Sequence, residues 1–331
     1  ALRPNPWNGW LRDPDLLDWL ADRFDEETYD WSASQLETYG RCPFLFLTSR
    51  YVLNLEELEE AEEETTPLTF GAAAHDILER FYREVKDDLP TAFTREARER
   101  LDRVCDQVFA EREAEGEWLG LPALWATARE KVRRHLHEYV DWELGYLADK
   151  NERPFQVERE FGFGDEAVWI EGRNSRGAPA RMRLRGRIDR VDRAGVRKTV
   201  HHVLDYKSGG YPSKGGYLDG STLQGALYLQ ALADQGFEVR KARYRVLKRP
   251  GSPQNGAEIT FGSEEHETAL TLALSIPARV RAGIFEAVAA AKAGWKPWDP
   301  GLEVRRNDAQ IPAGHRFETS TLRVVEGDDD G

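Results

Sequence analysis

The sequence predicts an α/β protein: a small mixed central sheet with flanking helices and a substantial helical insertion. Residues 182–191 alternate polar with apolar side chains, and residues 199–207 are rich in β-branched and apolar types, as is typical of strands. Two segments within residues 91–149 place Leu, Val, Phe and Trp at helical spacing among charged residues. With 331 residues, the chain can bury the core of one large domain or of two.

The first predicted elements belong to an N-terminal arm, residues 1–30, which is aromatic and then acidic. Asp13-Pro14 can open a short helix there, with proline in the first turn, and we expect the arm to pack on the main body. Ser34 and Glu37 have the spacing of a capping box for a helix over residues 35–50. The acidic run at 56–66 is typical of a solvated linker or helix end.

A helix over residues 70–86 follows and carries the histidine of most interest. His75, Leu78, Glu79 and Tyr82 share one stripe of that helix. A lone histidine on an apolar face is usually a buried structural group, so it indicates no site by itself. The segment 91–149, broken near residues 116–122, is then predicted to be a helical insertion between this helix and the sheet.

The remaining elements alternate between strands and helices. Strands are predicted over residues 155–163, 167–171, 182–191, 199–207 and 239–247, and a long helix over 264–292. A glycine-rich loop at 208–220 carries Lys214 and lacks the end of a phosphate-binding P-loop, so we expect it to face substrate. Ser221 or Thr222 can cap the next helix, on which Gln224 and Tyr228 face one side.

Two carboxylates and a lysine are the strongest chemical signal. Asp205 and Lys207 alternate on one strand and therefore share a face. If the preceding turn were centred near Arg197, Asp189 would oppose Asp205 with Cβ atoms roughly 5 Å apart, close enough to hold one cation. A hard divalent cation prefers oxygen ligands and polarises a phosphodiester, and a nearby lysine can orient the attacking water. A solvated hairpin with incidental charges would give the same short pattern.

Five ordered segments resemble the PD-(D/E)XK nuclease superfamily, and within it the RecB- and AddB-type nuclease domains of bacterial helicase–nucleases. They are GRIDRVD (186–192), LDYKSG (204–209), GAAAHDILE (71–79), QGALY (224–228) and the opening WSASQL with CPF (31–44). The resemblance covers about residues 31–249 and implies a restriction-endonuclease-like core.

The resemblance also implies roles for individual residues. Asp189, Asp205 and Lys207 correspond to the catalytic residues. His75, Asp189, Asp205 and the Tyr206 carbonyl correspond to ligands of Mg²⁺ or Mn²⁺; an imidazole suits Mn²⁺ better. Residues predicted to contact substrate are Gln224, Tyr228, Arg187 and Lys214, and the carboxylates predicted to support the site are Glu79 and Glu160. For Glu160 a surface role is equally open, and core packing is a serious alternative for Tyr228 and a weaker one for Gln224.

The chain departs from this pattern in its cysteines. AddB-type domains hold an iron–sulfur cluster with four cysteines, but this sequence has only Cys42 and Cys105. We therefore expect no iron–sulfur cluster, a buried apolar role for Cys42, and ordinary packing between the C-terminal end and the N-terminal helices.

Charge is unevenly distributed along the chain. The net charge is −13, yet residues 171–250 hold 18 Lys and Arg against 7 Asp and Glu, so this segment is +11 and the rest −24. A local basic surface matters more for binding phosphate backbones than the total charge does. Any single arginine could equally lie on a solvated face.

Together these observations predict a metal-dependent deoxyribonuclease that acts as an exonuclease on single-stranded DNA in repair or recombination, with a helicase domain or subunit as partner. We expect a nuclease domain over residues 31–295 and a loop-rich C-terminal segment with an acidic tail over 296–331. No apolar run of 18 residues or signal-like start is present, so a cytoplasmic protein without membrane contact is expected. The only methionine is Met182, so we expect a fragment or a processed chain. The alternatives are a catalytically silent DNA-binding scaffold and a protein-interaction module whose acidic helices bind a basic partner.

Overall fold

The computed structural model describes residues 9–55, 67–115, 121–164, 166–197, 199–210, 212, 214–248 and 258–286, of which 67–70 and 214 are described by their backbone alone. The helices in this part of the chain are α1 (Pro14–Arg23), α2 (Ala33–Arg41), α3 (Pro43–Thr48), α4 (Pro67–Val85), α5 (Arg95–Ala114), α6 (Pro122–Lys150), α7 (Lys214–Asp219), α8 (Gln224–Asp234) and α9 (Glu264–Arg281). None of these helices is long and apolar enough to cross a membrane.

Two sheets are built from the strands β1 (Asp30–Trp31), β2 (Arg153–Phe161), β3 (Val168–Arg173), β4 (Pro179–Leu184), β5 (Gly186–Ala194), β6 (Val200–Lys207), β7 (Val239–Val246) and β8 (Glu258–Thr260). The larger sheet has the order β2-β5-β6-β7-β8, and the smaller has the order β1-β4-β3. β6 and β7 are parallel, with α7 and α8 in the connection between them, whereas the other pairs of the larger sheet are antiparallel. The predicted mixed α/β architecture is confirmed.

The β5–β6 hairpin has the register that a turn centred near Arg197 requires. Ala194 pairs with Val200, and the ladder continues to Arg190 paired with Leu204. The next step along it brings Asp189 beside Asp205. A turn centred on Arg197 therefore sets the two acidic residues at the same level of adjacent strands.

Helices cover the larger sheet on both faces. One core joins α1, α2, α8 and α9 to the two sheets and includes Trp31, Leu227 and Val203. The other core joins α4, α5 and α6 to the sheet and includes Leu136 and Tyr206. Since β6 contributes to both cores, its C-terminal end lies between the two helical layers.

An ionic cluster inside the second core ties the helical insertion to β5. The guanidinium of Arg190 is fully buried and donates to Glu143 of α6, to Asp192 (2.8 and 2.9 Å) and to the Tyr206 hydroxyl (3.0 Å). It also lies over the Tyr82 ring, 4.4 Å from the centroid. The insertion thus packs through charged as well as apolar contacts directly beneath Tyr206.

The N-terminal segment and the end of the described chain are joined by backbone hydrogen bonds. The Leu11 N–H donates to the Gly283 carbonyl (2.8 Å), and the Phe285 N–H donates to the Gly9 carbonyl (2.9 Å). The buried Glu286 side chain accepts from Trp10 Nε1 (2.9 Å) and from Arg279 (2.8 Å). Cys42 and Cys105 are both buried, and neither forms a disulfide.

Several element boundaries differ from the sequence prediction. The predicted helix over 35–50 is two helices, because Pro43 cannot continue α2 and instead begins α3. The predicted strand over 182–191 is split at Arg185 into β4 and β5, which lie in different sheets. Residues 214–219 of the predicted loop are helical, and α9 ends at Arg281 rather than at residue 292.

Candidate active site

Acidic residues from three neighbouring strands form a row at one end of the larger sheet. In β2, Val157 and Arg159 pair with Arg190 and Ile188 of β5, so Glu158 lies beside Asp189. Asp205 of β6 lies on the other side of Asp189, one step beyond the last paired residues. The order across the sheet is therefore Glu158, Asp189, Asp205.

His75, Glu158 and Asp189 form the first half of the site. They offer ligand atoms that all lie within 4.8 Å of one another. His75 comes from α4, and its Nδ1 lies 3.4 Å from Asp189 Oδ2. Glu158 and Asp189 side chains are only 11% and 12% exposed. An imidazole nitrogen and two carboxylates in this arrangement suit a divalent cation.

Asp205, Lys207 and Gln224 form the second half. Gln224 donates from Nε2 to Asp205 Oδ1 (2.8 Å), and Lys207 Nζ donates to Gln224 Oε1 (3.1 Å). Lys207 Nζ also lies 2.8 Å from Asp205 Oδ2. A side chain from the start of α8 thus fixes both charged groups at the end of β6.

The backbone of Tyr206 connects the two halves. Its N–H donates to Asp189 Oδ2 (2.7 Å), and its carbonyl accepts from His75 Nε2 (3.0 Å). A carbonyl oxygen has two lone pairs, so this bond leaves one for a cation. The Tyr206 ring is buried against His75, with ring centroids 5.6 Å apart, and its hydroxyl reaches Arg190. The position of this peptide group is therefore determined from both sides.

Crowding of negative charge shifts the ionisation of the site. Burial and the charge of Asp205 raise the pKa of Asp189 well above its usual range. Burial and the charge of Asp189 raise the pKa of Glu158 to about 7. Burial lowers the pKa of Lys207, but the adjacent Asp205 outweighs it and holds that pKa above its usual value. A bound cation would relieve the repulsion among the carboxylates.

The residues present fit a divalent cation on a further observation. Asp205 Oδ2 is buried and, although paired by charge with Lys207, accepts no well-aligned hydrogen bond from the described residues. Buried carboxylate oxygens normally have hydrogen-bond partners. A cation bound between Asp189 and Asp205 would therefore also lie near His75 and Glu158. The Tyr206 peptide group lies between Asp205 and these residues.

Glu158 is the site residue that the sequence prediction missed. Alternation along residues 155–163 favoured Glu160, which the structure leaves exposed and opposite Arg187. Glu158 has a φ of +48°, unusual for a residue with a side chain, and its carboxylate pairs with Arg187 Nε at 2.7 Å. The only signal in the sequence was that Glu158 lies two residues from Glu160 on the same predicted strand. That spacing does not reveal the left-handed backbone conformation of Glu158.

Glu37 also has a different role from the one that the sequence predicted. The capping box of α2 is formed by Ser32 and Gln35, not by Ser34 and Glu37. Glu37 Oε1 instead accepts from the N–H groups of Leu223 (2.7 Å) and Gln224 (2.8 Å), where the sequence predicted a Ser221 or Thr222 cap. Glu37 therefore holds the start of α8, and with it Gln224, against α2.

The other predicted site residues lie around this centre. Glu79 is paired with Arg83, and its charge contributes to the raised pKa of Glu158, which indicates proximity. Tyr228 is buried and packs edge-on against Phe161, with ring centroids 5.5 Å apart. Burial and the nearby charges of Asp205 and Asp189 raise the pKa of its hydroxyl. Arg187 is 61% exposed beside Glu158. The side chain of Lys214 lies outside the described part of the chain.

The mixed sheet carries clustered carboxylates and a lysine, and α4 places His75 beside them. Such a core is expected of a metal-dependent nuclease. The sequence profile of the PD-(D/E)XK nuclease superfamily matches residues 30–299, and the chain belongs to that superfamily. The predicted resemblance and fold are thereby confirmed.

Curated relatives with this similarity are bacterial proteins, each named as one subunit of an ATP-dependent helicase/deoxyribonuclease. The chain is 32% identical to the one from Symbiobacterium thermophilum over 211 residues, which is 62% of this chain and 18% of that protein. It is 30% identical to the one from Moorella thermoacetica over 219 residues, 63% of this chain and 18% of that protein. The match thus spans about a fifth of the length of these relatives.

Proposed function

We propose that this chain is a divalent-metal-dependent deoxyribonuclease that hydrolyses phosphodiester bonds of single-stranded DNA. The observation that carries the proposal is the arrangement of His75, Glu158 and Asp189 beside Asp205 and Lys207 at one end of the sheet. The superfamily and the names of the relatives support the reaction class. Cleavage from a DNA end, in repair or recombination, is part of the same proposal.

In this proposal, His75, Asp189, Asp205 and the Tyr206 carbonyl hold Mg²⁺ or Mn²⁺, with Glu158 as a further ligand. When bound, the cation supplies a Lewis acid for the scissile phosphate and lowers the pKa of a coordinated water. Asp189 and Asp205 provide the negative charge that retains it. His75 is positioned for this role because its Nε2 already bonds the Tyr206 carbonyl, leaving Nδ1 directed at Asp189.

Lys207 orients the attacking water and stabilises the negative charge that develops on the phosphate. Its raised pKa keeps the ammonium protonated, so in this role it donates hydrogen bonds rather than accepting a proton. Gln224 holds Lys207 and Asp205 in place through its two amide atoms. Arg187 offers an exposed guanidinium to a neighbouring phosphate, next to the carboxylate cluster.

The test is cleavage of end-labelled single- and double-stranded DNA with Mg²⁺, Mn²⁺ or EDTA, using the wild type, Lys207→Ala and Asp234→Asn. Asp234 is an exposed carboxylate at the end of α8 and serves as the control. We expect metal-dependent products from the wild type and the control, and at least a 100-fold loss in Lys207→Ala, about the effect of removing one charge-stabilising donor. Binding without products from the wild type would instead support a silent scaffold.

We further propose that the chain acts beside a helicase domain or subunit that delivers unwound strands. The support is that the names of its relatives include a helicase and that these relatives are about five times as long as the matched segment.

A forked duplex tests the proposed preference for single-stranded DNA without a partner. Cuts confined to the unpaired arms would agree with the proposal, and equal cutting throughout the paired stem would contradict it.

A further inference from the structure

Four arginines alternate along residues 181–187, but the structure divides them into two pairs. Arg181 is paired with Glu26 and Glu27, and Arg183 with Asp30, so both guanidinium groups bind acidic side chains of the N-terminal segment. Arg185 lies at the junction between the two sheets, and Arg187 lies beyond it in β5. Along residues 185–189, exposed and buried positions alternate, so these two arginines lie on the exposed side that continues to Asp189.

Phe163 lies beside Arg185 with its ring in solvent. Phe163 as a residue is 52% exposed, more than any other phenylalanine, tyrosine or tryptophan among the described residues. The guanidinium of Arg185 lies over it, 5.7 Å from the ring centroid. Phe163 and Arg185 together are called the aromatic–arginine pair below. Phe163 thus lies beside the arginine that directly precedes β5, the strand that carries Asp189.

The backbone around this pair is held in place. Gly162 has a φ of +71°, and a Cβ there would lie 2.2 Å from the Leu184 carbonyl oxygen and 2.9 Å from Arg185 Cα. Only glycine permits this approach, so the loop after β2 is pressed onto the start of β5. The Arg185 N–H donates to the Trp31 carbonyl at 2.8 Å. Phe163 is therefore presented by a specific backbone contact.

From these contacts we propose that the aromatic–arginine pair is a binding subsite for one unpaired nucleobase of single-stranded DNA. The base stacks on the Phe163 ring, and Arg185 contacts the adjoining phosphate. Proteins that bind single strands combine exposed aromatic rings with basic side chains in this way. Bases in a duplex do not expose the ring face that stacking needs, so the occupant is an unpaired base.

The subsite is continuous with the candidate active site. Arg187, two residues along β5, pairs with Glu158, which lies within 4.8 Å of Asp189 in ligand-atom distance. Four residues of extended strand separate Arg185 from Asp189, about 13 Å at 3.3 Å per residue. The single-stranded DNA would thus run from the aromatic–arginine pair, past Arg187, to the carboxylates of the candidate active site. This inference rests on the proposed function, since it assigns part of that substrate's path.

The first experiment measures binding of a fluorescent single-stranded oligonucleotide by anisotropy, in the Lys207→Ala background so that cleavage does not interfere. Phe163→Leu keeps an apolar side chain without a ring face, Phe163→Trp keeps the ring, and Phe261→Ala is the control. Phe261 is an exposed aromatic (37%) next to β8, at the opposite edge of the sheet. We expect about tenfold weaker binding in Phe163→Leu alone, the effect of losing one stacked base.

Salt dependence separates the two members of the pair. Arg185→Gln should reduce the slope of log Kd against log salt by about 0.7, the value for one phosphate of a single strand, whereas Phe163→Leu should leave the slope unchanged. Equal binding by the wild type and Phe163→Leu would overturn the subsite. Because this readout is binding, a failure of catalysis alone would contradict the proposed function and leave the subsite result interpretable.

An abasic scan locates the base. Oligonucleotides that lack one base at successive positions should bind the wild type about tenfold more weakly at a single position, by loss of that stack. In Phe163→Leu the same abasic position should have no further effect, because the partner ring is already gone. An equal abasic effect in both proteins would show that another residue holds the base.

Discussion

Glu158 is a buried carboxylate held next to another carboxylate, so its charge should oppose folding. Its pKa in the folded protein is raised to about 7, whereas an unfolded chain has an ordinary glutamate pKa. The folded state therefore retains a proton that the unfolded state releases. This contribution to stability is present below the unfolded pKa and is lost as the pH rises through about 7.

Glu158→Gln should accordingly stabilise the metal-free protein at high pH. We expect the free energy of unfolding to exceed that of the wild type by about 3 kcal/mol near pH 8 and to equal it near pH 4. Urea unfolding in EDTA at the two pH values measures this, and Glu160→Gln is the matched control. A difference that is the same at both pH values would show that folding does not raise the pKa of Glu158.

At the scale of elements, the start of α8 depends on a side chain from α2. Glu37→Ala removes the acceptor of two helix N–H groups, so we expect a loss of about 1–2 kcal/mol in the free energy of unfolding. Because Gln224 is one of the two residues held, DNA cleavage should fall as well. Glu37→Gln keeps an acceptor oxygen, so its losses in the free energy of unfolding and in DNA cleavage should both be smaller.

The control for this prediction is Ser34→Ala, at the position that local sequence favoured as a cap. Since Ser32 fills that role, we expect the change in denaturation midpoint to be within the equivalent of about 0.5 kcal/mol. A larger loss in Ser34→Ala than in Glu37→Ala would contradict the structural assignment of the two caps.

The buried Arg190 holds the helical insertion to the sheet. Arg190→Met leaves Asp192 without its charge partner and Glu143 with Arg245 alone, and we expect a loss of about 3–5 kcal/mol in the free energy of unfolding. The exposed Arg197 in the β5–β6 turn is the control, and Arg197→Met should change it by less than about 0.5 kcal/mol. Comparable values for the two variants, from urea midpoints, would show that the cluster contributes little.

Sequence patterns predicted those elements whose signals are local. Alternation predicted the strands on both sides of Arg197, whereas the register that opposes Asp189 to Asp205 was an assumption about the turn, and the structure has that register. Sheet membership is not local, so the unbroken alternation gave no sign that β4 and β5 separate at Arg185. Glu37 and Glu158 were missed because a tertiary partner and a left-handed backbone conformation, respectively, determine where their side chains lie.

For the whole molecule, the basic segment offers DNA fewer charges than its sequence indicates. Arg181, Arg183, Arg190, Arg243 and Arg245 all form ion pairs within the protein. If Arg185, Arg187 and Lys207 make the phosphate contacts, the slope of log affinity against log salt should be about −2 for single strands. Titrations at several salt concentrations measure it, and a slope near −8 would indicate that many more cations face DNA.

The most direct measurement of the central claim is Mn²⁺ binding by electron paramagnetic resonance, with cleavage of single-stranded DNA followed on the same samples. The proteins are the wild type, Asp189→Asn and the control Asp234→Asn. We expect the wild type and the control to bind Mn²⁺ and cleave, and Asp189→Asn to lose both while its circular dichroism spectrum is unchanged. Cleavage by Asp189→Asn at the wild-type rate, or wild-type cleavage that persists in EDTA, would contradict a metal-dependent site at these carboxylates.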